Sequence, residues 1–210
     1  MKPEIVFPVT AGAFLHDIVQ IGATAVRIMS RSDAQALAEE VATYQFVPRT
    51  TAYGPRSVHQ NFAACEEERV PHESPVRGVS KAIGETLMRM FAHDFSESAA
   101  GRMFKYPLSF NDHLLLRFPQ DDGALDVHRD HSKYKNLIVS LTLSGRASFS
   151  IHDAPGVPAG TTFDVGAGMA VFMRAPGFLG DDERPYHSVS SVREERIALI
   201  MKQKLEGDNA

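Results

Sequence analysis

Beyond Tyr106 the chain turns into one short strand-like run after another, and no other feature limits its fold as tightly. Apolar, β-branched and aromatic residues fill 113–118, 125–128, 136–143, 147–152, 161–165, 169–173, 187–192 and 196–202. The breaks carry turn formers such as Ser144-Gly145, Pro155-Gly156 and Gly166-Ala167-Gly168. Eight strands of this kind bury their apolar faces and protect their edges as a sandwich or barrel. The expectation is a double-stranded β-helix, or jelly roll, over residues 106–203, in a fold that is mainly β with flanking helices (α+β).

Residues 1–105 read as mixed helix and strand that supports this core and faces substrate. From Ser32-Asp33 to about residue 44, Ala36, Leu37, Val41 and Tyr44 recur at helical spacing behind a Ser or Asp cap. A second helix starts at Ser74-Pro75 and carries Val76, Val79, Ile83, Leu87, Met90 and Phe91 as one apolar stripe that should pack on a sheet. Between them, 46–62 suggests short strands broken by Pro48, Gly54 and Pro55, and 206–210 reads as a frayed polar tail. With 210 residues and 43% hydrophobic content, one domain spanning 1–210 is the simplest account.

Composition narrows the partners. A net charge of −4 and a pI near 6.1 argue against a general polyanion-binding surface. Cys65 is the single cysteine, so neither an internal disulfide nor a cysteine zinc site can form within one chain. Pro3, Glu4, Pro8, His16 and Asp17 interrupt the first 22 residues, which therefore lack a signal-peptide core or a membrane span. A soluble, unprocessed, cytoplasmic protein without membrane contact is expected.

The chemistry centres on His128-Arg129-Asp130. On a strand end the first and third side chains point the same way, so both can reach one ion. His187, 187 − 130 = 57 positions after Asp130, lies far enough on to return to the same end of a jelly roll. Two imidazoles and a carboxylate on one face of a metal suit Fe(II) or Mn(II), with zinc a competitor. Arg196 opens the last strand nine positions after His187, and its guanidinium can hold a carboxylate through two parallel hydrogen bonds. Arg193 is the rival, but Glu194 and Glu195 beside it suggest a solvated turn. His131 is expected to be a loop residue. His59, His72, His93, His113 and His152 read as ordinary histidines, with His113 the best placed of them. The triplet also imitates a protein-kinase catalytic loop. Asn136 comes one residue late for that role, however, and no glycine-rich loop or Asp-Phe-Gly accompanies it.

At this point a family resemblance appears. Residues 111–203 resemble the Fe(II)/2-oxoglutarate-dependent dioxygenases in the His-Arg-Asp triplet, the strand Asn-Leu-Ile-Val-Ser-Leu-Thr-Leu from Asn136, the turn Val-Gly-Ala-Gly-Met from Val165, Tyr186-His-Ser-Val, and Arg-Ile-Ala-Leu-Ile from Arg196. The stretches from Leu114, Gly123 and Ser140 are most similar to the AlkB-type branch. The resemblance implies that His128, Asp130 and His187 bind iron and carry catalysis. It also implies that Arg196 anchors the distal carboxylate of 2-oxoglutarate, with Lys202 as an auxiliary contact.

The implied cofactors are Fe(II), 2-oxoglutarate and O2, with ascorbate as a supporting reductant. The implied reaction hydroxylates a C–H bond and releases succinate and carbon dioxide. Asp130 fills the position that related halogenases leave open. Two positions depart from the AlkB pattern: Phe118 stands where a tyrosine is frequent, and Ala198 where an asparagine is. A small-molecule or protein side-chain substrate is therefore expected first. Nucleic-acid demethylation comes second, and a non-catalytic metal-binding jelly roll is the alternative outside the enzyme class. The segments 48–68 and 174–185 are expected to face substrate.

Overall fold

The computed structural model describes residues 3–49 and 58–205. Helix α1 (Ala11–Ile21), strand β1 (Ala23–Arg27), helix α2 (Arg31–Val41), strands β2 (Val47–Arg49) and β3 (Gln60–Cys65), and helices α3 (Pro75–Asp94) and α4 (Glu97–Arg102) come first. Then follow β4 (Asp112–Phe118), β5 (Ala124–His128), β6 (Leu137–Ser144), β7 (Arg146–His152), β8 (Ala159–Gly166), β9 (Met169–Arg174), β10 (Tyr186–Ser190) and β11 (Arg196–Lys202). Each of these eight lies within two residues of its expected limits.

The strands pair antiparallel in the order β1-β9-β6-β11-β4-β3-β5-β10-β7-β8, with β2 against β3. Strand β3 joins two sheets: Ala63, Ala64 and Cys65 pair with β4, whereas Gln60 and Asn61 pair with β5. The architecture is a jelly roll flanked by helices. Segment 46–62 contributes β2 and the start of β3, while residues 50–57 and the tail 206–210 lie outside the described residues. Among the described residues no helix is long and apolar enough to cross a membrane.

Alternation explains the layering. On β6, Leu137, Val139, Leu141 and Leu143 share a core with Phe14 and Ile18 of α1, Leu37 and Val41 of α2, and Val79, Ile83, Leu87 and Phe91 of α3. Ile138, on the opposite face, packs between the sheets with Phe118, Phe149, Ile151 and Val189. Strand β11 divides the same way, with Ile197, Leu199 and Met201 toward the helices. Both faces are covered, so these strands read as nearly continuous apolar runs. The hydroxyls of Ser140 and Thr142 and the charges of Arg196 and Lys202 fall on the inter-sheet face, and there the site is built.

Both expected helices start at serine caps: Ser74, as expected, accepts from Val76 N through Oγ at 3.4 Å, whereas for the earlier helix Ser30, not Ser32 or Asp33, accepts from Asp33 N at 3.0 Å. Helix α2 begins two residues early and ends at Val41, short of the expected 44. The sequence pattern predicts no helix where α1 forms. Its signals are present, namely Thr10 at the cap and buried Ala11, Phe14 and Ile18, but Gly12, His16 and Asp17 dilute them.

Candidate metal and dicarboxylate site

Strand pairing brings the three expected metal ligands together. His187 of β10 is the direct partner of His128 at the end of β5, and the two rings lie 4.2 Å apart. Asp130 lies past the end of β5, in the loop, so strand alternation is not what aims it. Instead Arg184 Nη1 donates to the Asp130 carbonyl at 2.6 Å, tying the two ligand-bearing segments together. One donor atom from each of His128, Asp130 and His187 lies within 4.8 Å of the others.

Both imidazoles present the same nitrogen. His128 Nδ1 donates to the Asp126 carbonyl at 2.8 Å, and His187 Nδ1 donates to the Pro185 carbonyl at 3.3 Å. A carbonyl can only accept, so each Nδ1 carries the proton and each Nε2 keeps its lone pair for a metal. His187 stacks on Phe149 with ring centroids 5.5 Å apart. Burial, helped by nearby His128, lowers its pKa to about 4, which keeps the ring neutral as a ligand must be. His187 Nε2 lies 3.5 Å from Asp130 Oδ2, the approach expected of two ligands sharing an ion.

Arg196 is 1% exposed. Its Nη2 and Nε donate to Thr142 Oγ1 at 3.0 and 3.3 Å, and Nη2 approaches Ser140 Oγ at 3.5 Å. The guanidinium lies 5.3 Å from the Phe118 ring centroid, so the ring at the departing tyrosine position still touches the cation. Burial lowers the arginine's pKa to about 10, and among the described residues no carboxylate pairs with it. A buried cation held only by hydroxyls and a ring lacks its counter-charge. Arg193, the rival, is exposed, and its backbone N–H donates to the Arg146 carbonyl.

Lys202 faces the same space at the far end of β11, but it has an anion of its own. Its Nζ lies 3.1 Å from Asp112 Oδ2, donates to Tyr134 Oη at 3.2 Å and sits 4.4 Å from that ring's centroid. Burial opposes the lysine's charge, yet Asp112, Tyr134 and Asp130 outweigh it and hold the pKa above the usual value. A cavity of about 550 Å³ joins these parts and is lined by His128, Asp130, His187, Arg196 and Lys202 together with Ser140 and Tyr134.

The sequence does not single out Tyr134, Phe149 or Thr142, and it reaches Arg184 only as part of the segment 174–185; the two hydroxyls inside the apolar run of β6 are the one local signal. Of the other histidines, His131 is an exposed loop residue on the cavity wall. His113 is buried and bonded through Nδ1 to Glu67 Oε2 at 2.8 Å, alternating away from the cavity-lining Leu114. The segment 174–185 splits in two: Phe178 is buried in the helix-side core, whereas Arg184 lines the cavity.

No protein-family model matches the sequence, and no curated protein matches it. Solved structures do match. A prolyl-4-hydroxylase from Pseudomonas putida superposes with a TM-score of 0.59 at 16% identity, over 93% of this chain and 98% of that one. An oxidoreductase of the 2OG-Fe(II) oxygenase family from Burkholderia pseudomallei gives 0.61 at 16%, over 95% and 94%. The structure of OsALKBH1 gives 0.56 at 16%, over 88% and 99%. At this identity the likeness establishes a shared fold along nearly the whole chain, a fold common to hydroxylase and AlkB-type structures.

Proposed function

We propose that the protein is an Fe(II)/2-oxoglutarate-dependent oxygenase that hydroxylates a C–H bond of a small molecule or protein side chain, with succinate and carbon dioxide as coproducts. The observation that carries this reading is the buried guanidinium of Arg196, without a carboxylate partner among the described residues, in the same cavity as the His128, Asp130 and His187 cluster. The residues fit the group: two Nε2 atoms and one carboxylate form the donor set of non-haem Fe(II) oxygenases, and a dicarboxylate would supply what Arg196 lacks. Bound there, iron, 2-oxoglutarate and O2 would supply the oxidising chemistry.

The chain's own residues would do the rest. His128, Asp130 and His187 hold one face of the ion and leave the other free. Arg196 takes the distal carboxylate by two parallel hydrogen bonds, while Thr142 and Ser140 keep its fork oriented. Lys202, held by the Asp112 carboxylate that Lys204 also pairs with, adds a hydrogen bond near the metal end through Nζ or Tyr134 Oη. Phe118, Phe149, Leu114 and Leu116 exclude water from the cavity.

The test is anaerobic titration of Fe(II) and 2-oxoglutarate, followed by the weak visible charge-transfer band of the chelate. The band should form in the native protein, vanish in His128→Ala and weaken in Arg196→Ala. Well-folded, iron-loaded native protein without a band would remove the oxygenase reading and leave a metal-binding jelly roll. A second reading, oxidative demethylation of nucleic acid, draws on the likeness to OsALKBH1. Salt-dependent binding of short DNA or RNA together with formaldehyde release would favour it.

A further inference from the structure

The segment that follows β9 touches two of the three metal ligands without supplying one before His187. Arg184 Nη1 donates to the Asp130 carbonyl at 2.6 Å, and the next residue, Pro185, accepts from His187 Nδ1 at 3.3 Å. Asp130 lies in the loop past β5, where no strand ladder fixes its backbone. The bond from Arg184 reaches it across 54 positions. The Pro185 carbonyl selects the His187 tautomer that leaves Nε2 free. Two adjacent residues thus each bear on a different ligand.

This pair is itself held from behind. Arg174, the last residue of β9, pairs with Asp181 at 3.7 Å and with Glu183, and Glu183 N donates to Asp181 Oδ1 at 2.9 Å. The Arg174 backbone N–H donates to the Gly22 carbonyl at 3.0 Å. Gly22 closes α1 with φ +87°, and a Cβ there would lie 3.1 Å from Pro185 Cβ, so Pro185 packs directly on that turn. Earlier in the segment, Phe178 is buried against Phe104, with ring centroids 5.5 Å apart. Contacts therefore run from Gly22 and Arg174 through Glu183, Arg184 and Pro185 to Asp130 and His187. Arg174 does not line the metal cavity.

We infer that Arg184 is a positioning residue for the metal site and that Arg174 is a second, remote one acting through it. The ion pairs of Arg174 hold segment 181–185, and Arg184 then holds the Asp130 loop so that its carboxylate meets the two Nε2 atoms on one ion. This rests on the metal site of the oxygenase reading and adds the residues that set its affinity. Charge alone acts the other way. Arg184 places a cation beside a dication, so its removal by itself tightens metal binding. Removing Arg174 frees two carboxylates, which also favours a cation. Positioning predicts weaker binding in both cases.

The test is titration with Co(II) alone, read by its visible d–d band, without cosubstrate or turnover. Native protein and Asp130→Ala set the two limits. Arg184→Met should bind Co(II) about tenfold or more weakly, the usual cost of losing an outer hydrogen-bond partner of a metal ligand. Its band should also move toward that of Asp130→Ala, which a merely structural role would not produce. Arg174→Met should weaken binding severalfold, and the double variant should lose less than the product of the two single losses. Arg184 is half-buried, so its variant should fold, and metal-free melting curves verify this. Should Arg174→Met not fold, Arg174→Lys takes its place, since an ammonium cannot hold two acids in one planar fork.

Tighter or unchanged Co(II) binding in folded Arg184→Met overturns the inference, as does a weakened site whose band stays native. Losses that multiply in the double variant overturn the part assigned to Arg174. Failure of the native protein to bind Co(II) removes the oxygenase reading and this inference together. Native binding with no change in the variants removes only the inference.

Discussion

Replacing Arg196 with methionine separates a structural arginine from one waiting for an anion. The guanidinium is 1% exposed, and burial brings its pKa more than two units below the ordinary arginine value, to about 10. Each tenfold corresponds to about 1.4 kcal/mol, so holding the charge there costs on the order of 3 kcal/mol at neutral pH. The hydrogen bonds to Thr142 and the contact with Phe118 offset part of this, at about 1 kcal/mol each. Methionine is of similar length, removes the charge and packs against Phe118. Buried charges replaced by apolar residues are frequently neutral or stabilising.

The expected outcome for cosubstrate-free Arg196→Met is a melting temperature equal to that of the native protein or up to about 4 °C higher, taking about 1 kcal/mol and the usual conversion for a chain of this size. The same variant should lose 2-oxoglutarate affinity by roughly a hundredfold, the worth of a bidentate charge-assisted contact. Differential scanning calorimetry without ligand and a 2-oxoglutarate titration measure the two effects. A loss of more than about 2 kcal/mol without ligand would mean that Arg196 is already satisfied by Thr142 and Ser140, on the scale of breaking a buried polar network. That result would refute the argument from the missing counter-charge.

The remaining predictions concern the metal, the lysine end and one turn. His128→Ala should leave the fold intact and abolish stoichiometric Fe(II) binding, measured by metal analysis after gel filtration. Asp112→Asn leaves Lys202 buried without its anion and should cost about 3–5 kcal/mol in denaturant unfolding. Burial opposes the Asp112 charge, but Lys202 and Lys204 overcome it and hold its pKa below the usual 3.8. Its stabilisation is therefore complete above that value and is lost as pH falls below it toward the folded pKa, so acid unfolding should be shallower in Asp112→Asn. Gly145 has φ +70°, and a Cβ there would sit 2.5 Å from the Glu195 carbonyl oxygen and 2.9 Å from Arg196 Cα. Gly145→Ala should lower stability by roughly 1–3 kcal/mol and weaken 2-oxoglutarate binding by displacing the start of β11.

How much of this could be read beforehand differs from element to element. Strands β4 to β11 were legible because a strand buried on one or both faces writes its apolar pattern and its turns locally. Helix α3 was legible through Ser74, Pro75 and a long stripe. Helix α1 was not, because three buried residues among Gly12, His16 and Asp17 form a weak pattern that only packing against Phe91 and Phe172 completes. In the site, residue types and spacing singled out His128, Asp130, His187 and Arg196. They could not reveal that Asp130 lies in a loop whose backbone carbonyl is tied down by Arg184, or that Lys202 is paired with Asp112.

By itself, then, the sequence determined the strand pattern, the two-His-one-carboxylate donor set and the arginine at the head of the last strand, since chemistry and period are local properties of the chain. Tertiary structure alone decided which strands became neighbours. Thr142 meets Arg196 across 54 positions, and His128 meets His187 across an antiparallel pair. The hydrogen bond from Arg184 to the Asp130 carbonyl, across 54 positions, exists only once those strands have closed. Contacts of that kind depend on register and on which faces enclose a cavity, and no short stretch of the chain encodes either.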